Sequence, residues 1–200
     1  MNKEIREPKQ QRAIQKKEEI IKAAYKVFSD VGYYNTNTAD IAKKASVSTG
    51  IVYDYFKDKK DIFFYVIKIY INDVKAPIME FINSIKCPLD YEKLANDMLD
   101  LTISIHKSNA NLHNVLHSFA DTHDDINEEF IALENEITHL GAQKLNDLDS
   151  NSTNSTEKVH FIMDVVQSFA HELLYDRHDY INYDAMKQFV INSIVNTLKA

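Results

Sequence analysis

Residues 22–64 read KAAYKVFSDVGYYNTNTADIAKKASVSTGIVYDYFKDKKDIFF. Helical patterns within this stretch predict two short helices, Thr38–Ala45 and Thr49–Phe56, joined by a three-residue connection. The second helix is too short to be stable alone, and it ends in three aromatic residues, Tyr53, Tyr55 and Phe56. This pattern is typical of a helix-turn-helix, in which one helix braces the phosphate backbone and the next enters a major groove. The stretch therefore predicts a protein that binds duplex DNA.

The residues around the two short helices predict where each helix begins and ends. Apolar residues at helical spacing predict a helix from Arg12, closed by Gly32, which can take a positive φ. Asn37 or Thr38 is placed to cap the second helix, and Ser48 to cap the third. We expect the polar residues 1–11 to form a mobile arm.

The composition favours a helical protein without a membrane segment. Only 3 Gly and 3 Pro occur in 200 residues, so there are few turn signals and the helices should be long. About nine helices and no convincing strand emerge, which predicts an all-α fold. The sequence contains no apolar run of about 18 residues and no signal peptide, and its one cysteine, Cys87, suits a reducing compartment. We therefore expect a cytoplasmic protein that does not contact a membrane.

Charge is divided unevenly along the chain, whose net charge is −7. Residues 1–60 hold 13 Lys and Arg against 8 Asp and Glu, a balance of +5, which leaves 10 against 22, or −12, for residues 61–200. Basic charge is thus concentrated in the part that contains the helix-turn-helix, where it can attract phosphate.

The chain beyond the helix-turn-helix divides into further helices. A long helix should begin near Asp58, and Pro77 should kink or end it, because proline lacks an N–H and clashes with the preceding turn. Pro88 suits the first turn of the following helix, and the polar run Asp149–Thr156 predicts a loop before two final helices. We place a DNA-binding domain at residues 1–60, with the helix-turn-helix at about 38–56, and an effector-binding and dimerisation domain at residues 61–200.

Residues 18–66 resemble the TetR (tetracycline-repressor) family of one-component regulators. The first helix ends in FSDVGY, and the pattern TADIAKKASVSTGIVYDYFKDKKDI follows at the spacing of the family. The resemblance implies an all-helical fold with a three-helix DNA-binding head and a larger body that binds a ligand and dimerises.

Candidate DNA contacts follow from the residues and from this resemblance. The hydroxyl and backbone N–H of Thr38 can reach a phosphate, although Thr38 could instead be a plain cap. Gly50 would let the backbone approach DNA closely, or would simply relieve crowding in the turn. Lys59 would meet a phosphate, or be a solvated loop lysine, and Arg12, Lys16 and Lys17 could add backbone contacts. The predicted DNA-binding set is Thr38, Ser48, Thr49, Gly50, Tyr53, Tyr55 and Lys59.

The body should hold a small-molecule effector, which the resemblance implies is the signal that releases DNA. Apolar and aromatic residues are candidates for the pocket, and their chemistry favours an apolar or amphipathic ligand; any of them could equally be plain core. They are Phe81, Met98, Leu101, Ile105, Leu116, Phe119, Phe130, Leu133, Phe161 and Phe169.

The resemblance assigns dimerisation to the last two helices. Both carry broad apolar faces, one of which could pack internally and leave another for a partner; two ordinary core helices would read the same. The candidate interface is Val166, Phe169, Leu173, Met186, Phe189, Val190 and Ile194.

Signals for metal binding or catalysis are weak. His113 and His117 lie four residues apart, and Asp121 lies one turn further on, so they could ligate a metal, but packing or surface histidines are the simpler interpretation. The sequence carries no known metal, phosphate-loop or nucleophile motif, so we expect neither a cofactor nor an enzyme. The sequence thus predicts a homodimeric, ligand-released repressor; the alternative is a helical sensor or interaction protein with a vestigial helix-turn-helix.

Overall fold

We describe the protein from a computed structural model, which describes residues 6–120 and 122–200, with side chains from residue 11 onward. This part of the chain forms nine helices and no strand, so the predicted all-α fold is confirmed. The helices are α1 (Arg6–Val31), α2 (Thr38–Lys44), α3 (Thr49–Tyr55), α4 (Lys59–Ser84), α5 (Tyr91–Ser108), α6 (Ala110–Ala120), α7 (Asp124–Leu148), α8 (Ser155–Tyr175) and α9 (Tyr183–Lys199).

The mobile arm predicted for residues 1–11 is wrong in its second half, because α1 begins at Arg6. Residues 1–5 lie outside the described part of the chain. Pro8 does not stop the helix because it occupies the first turn, where a backbone N–H has no intrahelical partner.

The structure also bears on the other two predictions about proline. Helix α4 does not end at Pro77 but continues to Ser84, so of the two predicted effects only a kink stays a prediction. A proline inside a helix removes one backbone hydrogen bond, and α4 continues on both sides of it. Pro88 lies in the loop before α5, which begins at Tyr91 with Asp90 as its cap.

The first of two compact units consists of Met1–Ile71 together with Ala110–Asn127, so α6 belongs to it. Its core includes Ile20, Ala24, Phe28, Ile41 and Phe63, all of them fully buried. The Asn111 side chain of α6 donates to the Ser29 carbonyl of α1 at 2.8 Å. The domain boundary predicted at residue 60 stays a prediction, because packing alone does not show which residues bind DNA and which bind an effector.

The second compact unit consists of Asn72–Asn109 and Glu128–Ala200. Helices α5, α8 and α9 pack against one another there, and their shared core includes Ala95, Leu99, Phe169 and Ile194. The predicted polar loop is confirmed, since α7 ends at Leu148 and α8 begins at Ser155.

Candidate nucleic-acid interface

Helices α2 and α3 form the helix-turn-helix that the sequence predicts. Helix α2 ends at Lys44 with Ala45 as its C-cap. Ser46 then takes a left-handed conformation with φ 56°, which reverses the chain. The Val47 N–H donates to the Ala42 carbonyl at 3.0 Å and closes the turn. Ser48 caps α3, as predicted, because its hydroxyl accepts from the Ile51 N–H at 3.3 Å.

A reciprocal cap fixes the start of α2. The Asn37 side chain accepts from the Asp40 N–H at 3.0 Å, and the Asp40 carboxylate accepts from the Asn37 N–H at 3.0 Å. This arrangement satisfies two backbone donors that a helix end leaves open. Of the two cap residues that the sequence offered, Asn37 is therefore the one used.

The two helices divide their side chains between a buried and an open face. Ile41, Ala42 and Val52 are buried, and Phe56 is buried just after α3. Tyr53, in contrast, is 56% exposed. Among the other predicted DNA contacts, Ser48 and Gly50 are exposed, and Thr38, Thr49, Tyr55 and Lys59 are half-buried.

The open face brings two of the predicted DNA contacts together. The Tyr53 hydroxyl lies 3.5 Å from the Thr38 hydroxyl, although the residues are fifteen positions apart. One hydroxyl from the start of α2 and one from the middle of α3 thus point to a common place. Two adjacent hydroxyls can both donate hydrogen bonds to one phosphate or to neighbouring phosphates.

Gly50 is not required by the packing of this face. A Cβ built there would meet only the Ser48 Oγ, at 3.8 Å, which is an ordinary contact. The crowding explanation for Gly50 therefore has no support in the structure. Its backbone is open on the outside of α3, the helix that also carries Tyr53.

Lys59 makes contacts within the chain that the sequence did not indicate. Its ammonium donates to the Tyr33 carbonyl at 2.8 Å and to the Thr36 carbonyl at 2.7 Å. It also lies 4.2 Å from the centroid of the Tyr33 ring. Burial lowers the pKa of the Lys59 ammonium. Lys59 is therefore bound to the turn between α1 and α2.

Lys17, a further candidate for a backbone contact, is engaged in the same way. Its ammonium donates to the Tyr65 hydroxyl at 2.9 Å and lies 4.0 Å from the centroid of the Tyr65 ring. The Phe56 ring is 5.4 Å away. Lys17 of α1 thus packs against the residues that follow α3. Arg12 is exposed, and Lys16 pairs with Glu19 on α1.

Comparison with known proteins shows what residues 20–66 are similar to. A sequence profile described as "Bacterial regulatory proteins, tetR family" matches residues 20–66. The HTH-type transcriptional regulator HbdR of Aromatoleum sp. (strain CIB) is 33% identical over 106 residues, which are 49% of this chain and 46% of that protein. Residues 20–66 thus match the profile of the TetR family of transcriptional regulators.

Two further proteins are similar to this chain, one in sequence and one in fold. The fatty acid metabolism regulator protein of Bacillus subtilis (strain 168) is 34% identical over 90 residues, 45% of this chain and 43% of that protein. The matches thus span less than half of either curated relative. A crystal structure described as a TetR-family regulator from Mesorhizobium loti MAFF303099 has the same fold, with a TM-score of 0.73, 18% identity and coverage of 94% and 97%. The two curated relatives are named as regulators, which agrees with the expectation of a non-enzyme.

Four aromatic rings form the core around the α1–α2 turn. Tyr33 contacts Phe28 of α1, Phe63 of α4 and Phe119 of α6, with ring centroids 5.4, 4.8 and 5.1 Å apart. Sequence reasoning missed the role of Tyr33. The residue type does not show which rings its side chain will pack against or which donor its carbonyl will accept from. Phe119, predicted as a pocket residue, therefore packs in the core of the first unit.

The other predicted pocket residues are distributed between the two units. Leu116 is buried in the first unit, whereas Leu133 and Phe169 are buried in the second. Phe161 is 44% exposed. The five remaining candidates are half-buried, four of them in α4 and α5 and one in α7: Phe81, Met98, Leu101, Ile105 and Phe130.

Burial within the chain divides the predicted dimer interface, which stays a prediction. The core shared by α5, α8 and α9 already covers four of its members: Val166, Phe169, Val190 and Ile194. Leu173 and Met186 pack partly against the same core. Phe189, in contrast, is 72% exposed on α9. The sequence could not separate the residues that pack inside the chain from the exposed Phe189, because α8 and α9 are both apolar on more than one side.

The histidine pair predicted as a possible metal site lies in α6. His113 is buried, its ring centroid is 4.6 Å from that of His117, and its Nδ1 is 3.1 Å from the Tyr70 hydroxyl. Asp121 lies outside the described residues. Among the residues that the structure describes, no group of three or more potential ligands is placed to hold a metal ion. No described helix is long and apolar enough to cross a membrane.

Gly50→Ala should raise the free energy of unfolding by about 0.5–1 kcal/mol, because alanine is the better helix former and the added Cβ has room. Gly141→Ala is the matched control, since its Cβ would lie 2.8 Å from Val159 Cγ1 and should destabilise the chain. Urea unfolding of both variants checks this. A destabilised Gly50→Ala protein would show that the fold itself needs this glycine.

Proposed function

We propose that this chain is a homodimeric repressor of the TetR family that binds duplex operator DNA through α2 and α3. The observation that carries the proposal is the paired hydroxyls of Thr38 and Tyr53, 3.5 Å apart on the open face of the helix-turn-helix. Ser48, Thr49 and Gly50 lie at the start of α3, where side chains and backbone could meet base edges and phosphates. The charge balance of +5 in residues 1–60 favours the approach to DNA.

Base recognition by α3 should depend strongly on shape and apolar contact. Ile51 and Tyr53 are exposed large residues of α3, and Asp54 is exposed beside them. A carboxylate repels phosphate but can accept a hydrogen bond from cytosine N4. Since Ile51 has no hydrogen-bonding group and Asp54 repels phosphate, the sequence-dependent shape of the duplex would supply part of the specificity.

Repression requires two heads on one dimer, because a single head contacts too few phosphates for tight binding. Two recognition helices about 34 Å apart, or somewhat more, would read two half-sites. Phe189 supports a contact through α9, because it is a large apolar side chain left open beside helices that are otherwise well packed.

The effector proposed for release is an apolar or amphipathic small molecule. The candidate residues of the second unit, among them Phe81, Met98 and Phe130, are apolar and half-buried. The relative from Bacillus subtilis is named a regulator of fatty acid metabolism, which suggests an acyl compound as the first ligand to try. To weaken DNA binding tenfold, the ligand must favour the DNA-incompetent state by about 1.4 kcal/mol.

The proposed DNA binding is tested by the salt dependence of affinity for a duplex selected from a random library. The logarithm of the association constant should fall steeply as the logarithm of salt concentration rises, because each neutralised phosphate releases counterions. No measurable affinity at low salt would instead favour the alternative, a helical sensor with a vestigial helix-turn-helix.

Tyr53→Phe should weaken binding to the selected duplex by about tenfold or more, because it removes one hydroxyl that would bond a charged phosphate. Tyr180→Phe is the matched control, since Tyr180 is 80% exposed in the second compact unit and should be neutral. Fluorescence anisotropy measures both. Equal affinity of the Tyr53→Phe and wild-type proteins would remove the assigned contact.

Phe189→Asp should convert the dimer to a monomer in sedimentation equilibrium, because a charge would be buried at the proposed contact. Ile131→Asp places the same charge on another exposed apolar residue of the second unit and should leave the dimer intact. A Phe189→Asp protein that stays dimeric would exclude this residue from the interface.

A further inference from the structure

The ammonium of Lys59 is already committed to two backbone oxygens. An ammonium group has three N–H donors, and two of them are used by the carbonyls of Tyr33 and Thr36, at 2.8 and 2.7 Å. The Tyr33 ring lies beneath the same nitrogen, 4.2 Å away at its centroid. Lys59 itself opens α4, so it joins the start of α4 to the turn between α1 and α2.

Other side chains hold the same turn from within. The Thr36 hydroxyl donates to the Gly32 carbonyl at 2.8 Å, and the Asn35 amide donates to the Val31 carbonyl at 3.1 Å. Gly32 takes φ 84°, which lets α1 end there. Lys59 donates to the carbonyls of Tyr33 and Thr36, and the Tyr33 carbonyl also accepts from the Thr36 N–H at 3.2 Å. Thr36 comes directly before the Asn37 cap of α2.

A phosphate that drew the Lys59 ammonium away from the turn would have a cost within the protein. It would break hydrogen bonds made by a charged group, which are among the stronger ones in proteins, and only one N–H lies beyond the two that the carbonyls accept. Tyr33 and Thr36, whose carbonyls accept from Lys59, are both buried, so water has little access to replace the ammonium as their donor. The geometry therefore favours a role in which Lys59 stays bound to the turn.

We propose that Lys59 is a positioning residue of the DNA interface, which fixes the Tyr33–Thr36 turn and thereby places the Thr38 hydroxyl beside Tyr53. In this role the Lys59 ammonium stays hydrogen-bonded to the two carbonyls and does not neutralise a phosphate. This proposal rests on the proposed function, since it concerns how the DNA-binding face is held in place.

The first test needs no DNA. Lys59→Met removes the donors and the charge, whereas Lys59→Gln removes the charge but keeps an N–H donor. Amide hydrogen exchange of a peptide covering residues 33–41 should be fastest in Lys59→Met and intermediate in Lys59→Gln, compared with the wild-type protein. Lys107→Met, at an exposed lysine of the second unit, is the control and should exchange like the wild type. Unchanged exchange in both Lys59 variants would overturn the proposal.

The second test separates positioning from a phosphate contact. Lys59→Met should weaken binding to the selected duplex by about tenfold at every salt concentration, without changing the salt dependence, and Lys59→Gln should lose less. If Lys59 instead neutralised a phosphate, both variants would lose the charge equally, and the slope would shrink by about 0.9 for each contact. That result would overturn the proposal.

Two further outcomes remain distinguishable. If the variants have lower melting temperatures but bind the duplex as well as the wild type at a temperature where all are folded, Lys59 is merely structural and the proposal fails. If the wild-type chain itself binds no duplex at low salt, the proposed function fails, and the DNA role of Lys59 fails with it. Should Lys59→Met not fold, Lys59→Gln provides the same comparison.

Discussion

The DNA-binding face depends on how two seven-residue helices are held. Isolated helices below about 12–15 residues are marginal in water, so α2 and α3 owe their existence to burial. Ile41 and Val52 are fully buried, and each side chain of this size contributes roughly 1.5–3 kcal/mol. Because the inward positions supply the stability, the outward ones are left open to polar side chains such as Thr38 and Tyr53.

Tyr33 links the core of the first unit to the backbone of the α1–α2 turn. Its ring packs among Phe28, Phe63 and Phe119, and each such aromatic pair contributes about 0.5–1.5 kcal/mol beyond its buried area. Its carbonyl accepts from Lys59. The turn is thus fixed by the core on one side and by an ammonium on the other, which is the rigidity that a face of exposed hydroxyls needs.

The features that sequence predicted well are those set by near neighbours. The bounds of α2 and α3, the Ser48 cap and the loop before α8 follow from residues three or four positions apart. The features it missed depend on distant partners. Lys59 meets carbonyls 23 and 26 positions away, and Val190 and Phe189 are adjacent in sequence although only one is buried. The sequence shows whether a side chain is apolar or charged and at what spacing such residues recur, but it does not show which surface will cover each one.

The account is tested most directly by titrating the isotopically labelled protein with a selected duplex and following its backbone amides by NMR. It predicts that the largest shift changes fall on residues 37–39 and 48–55, the two segments that carry Thr38 and Tyr53. Changes confined to the second compact unit, with α3 unaffected, would contradict it.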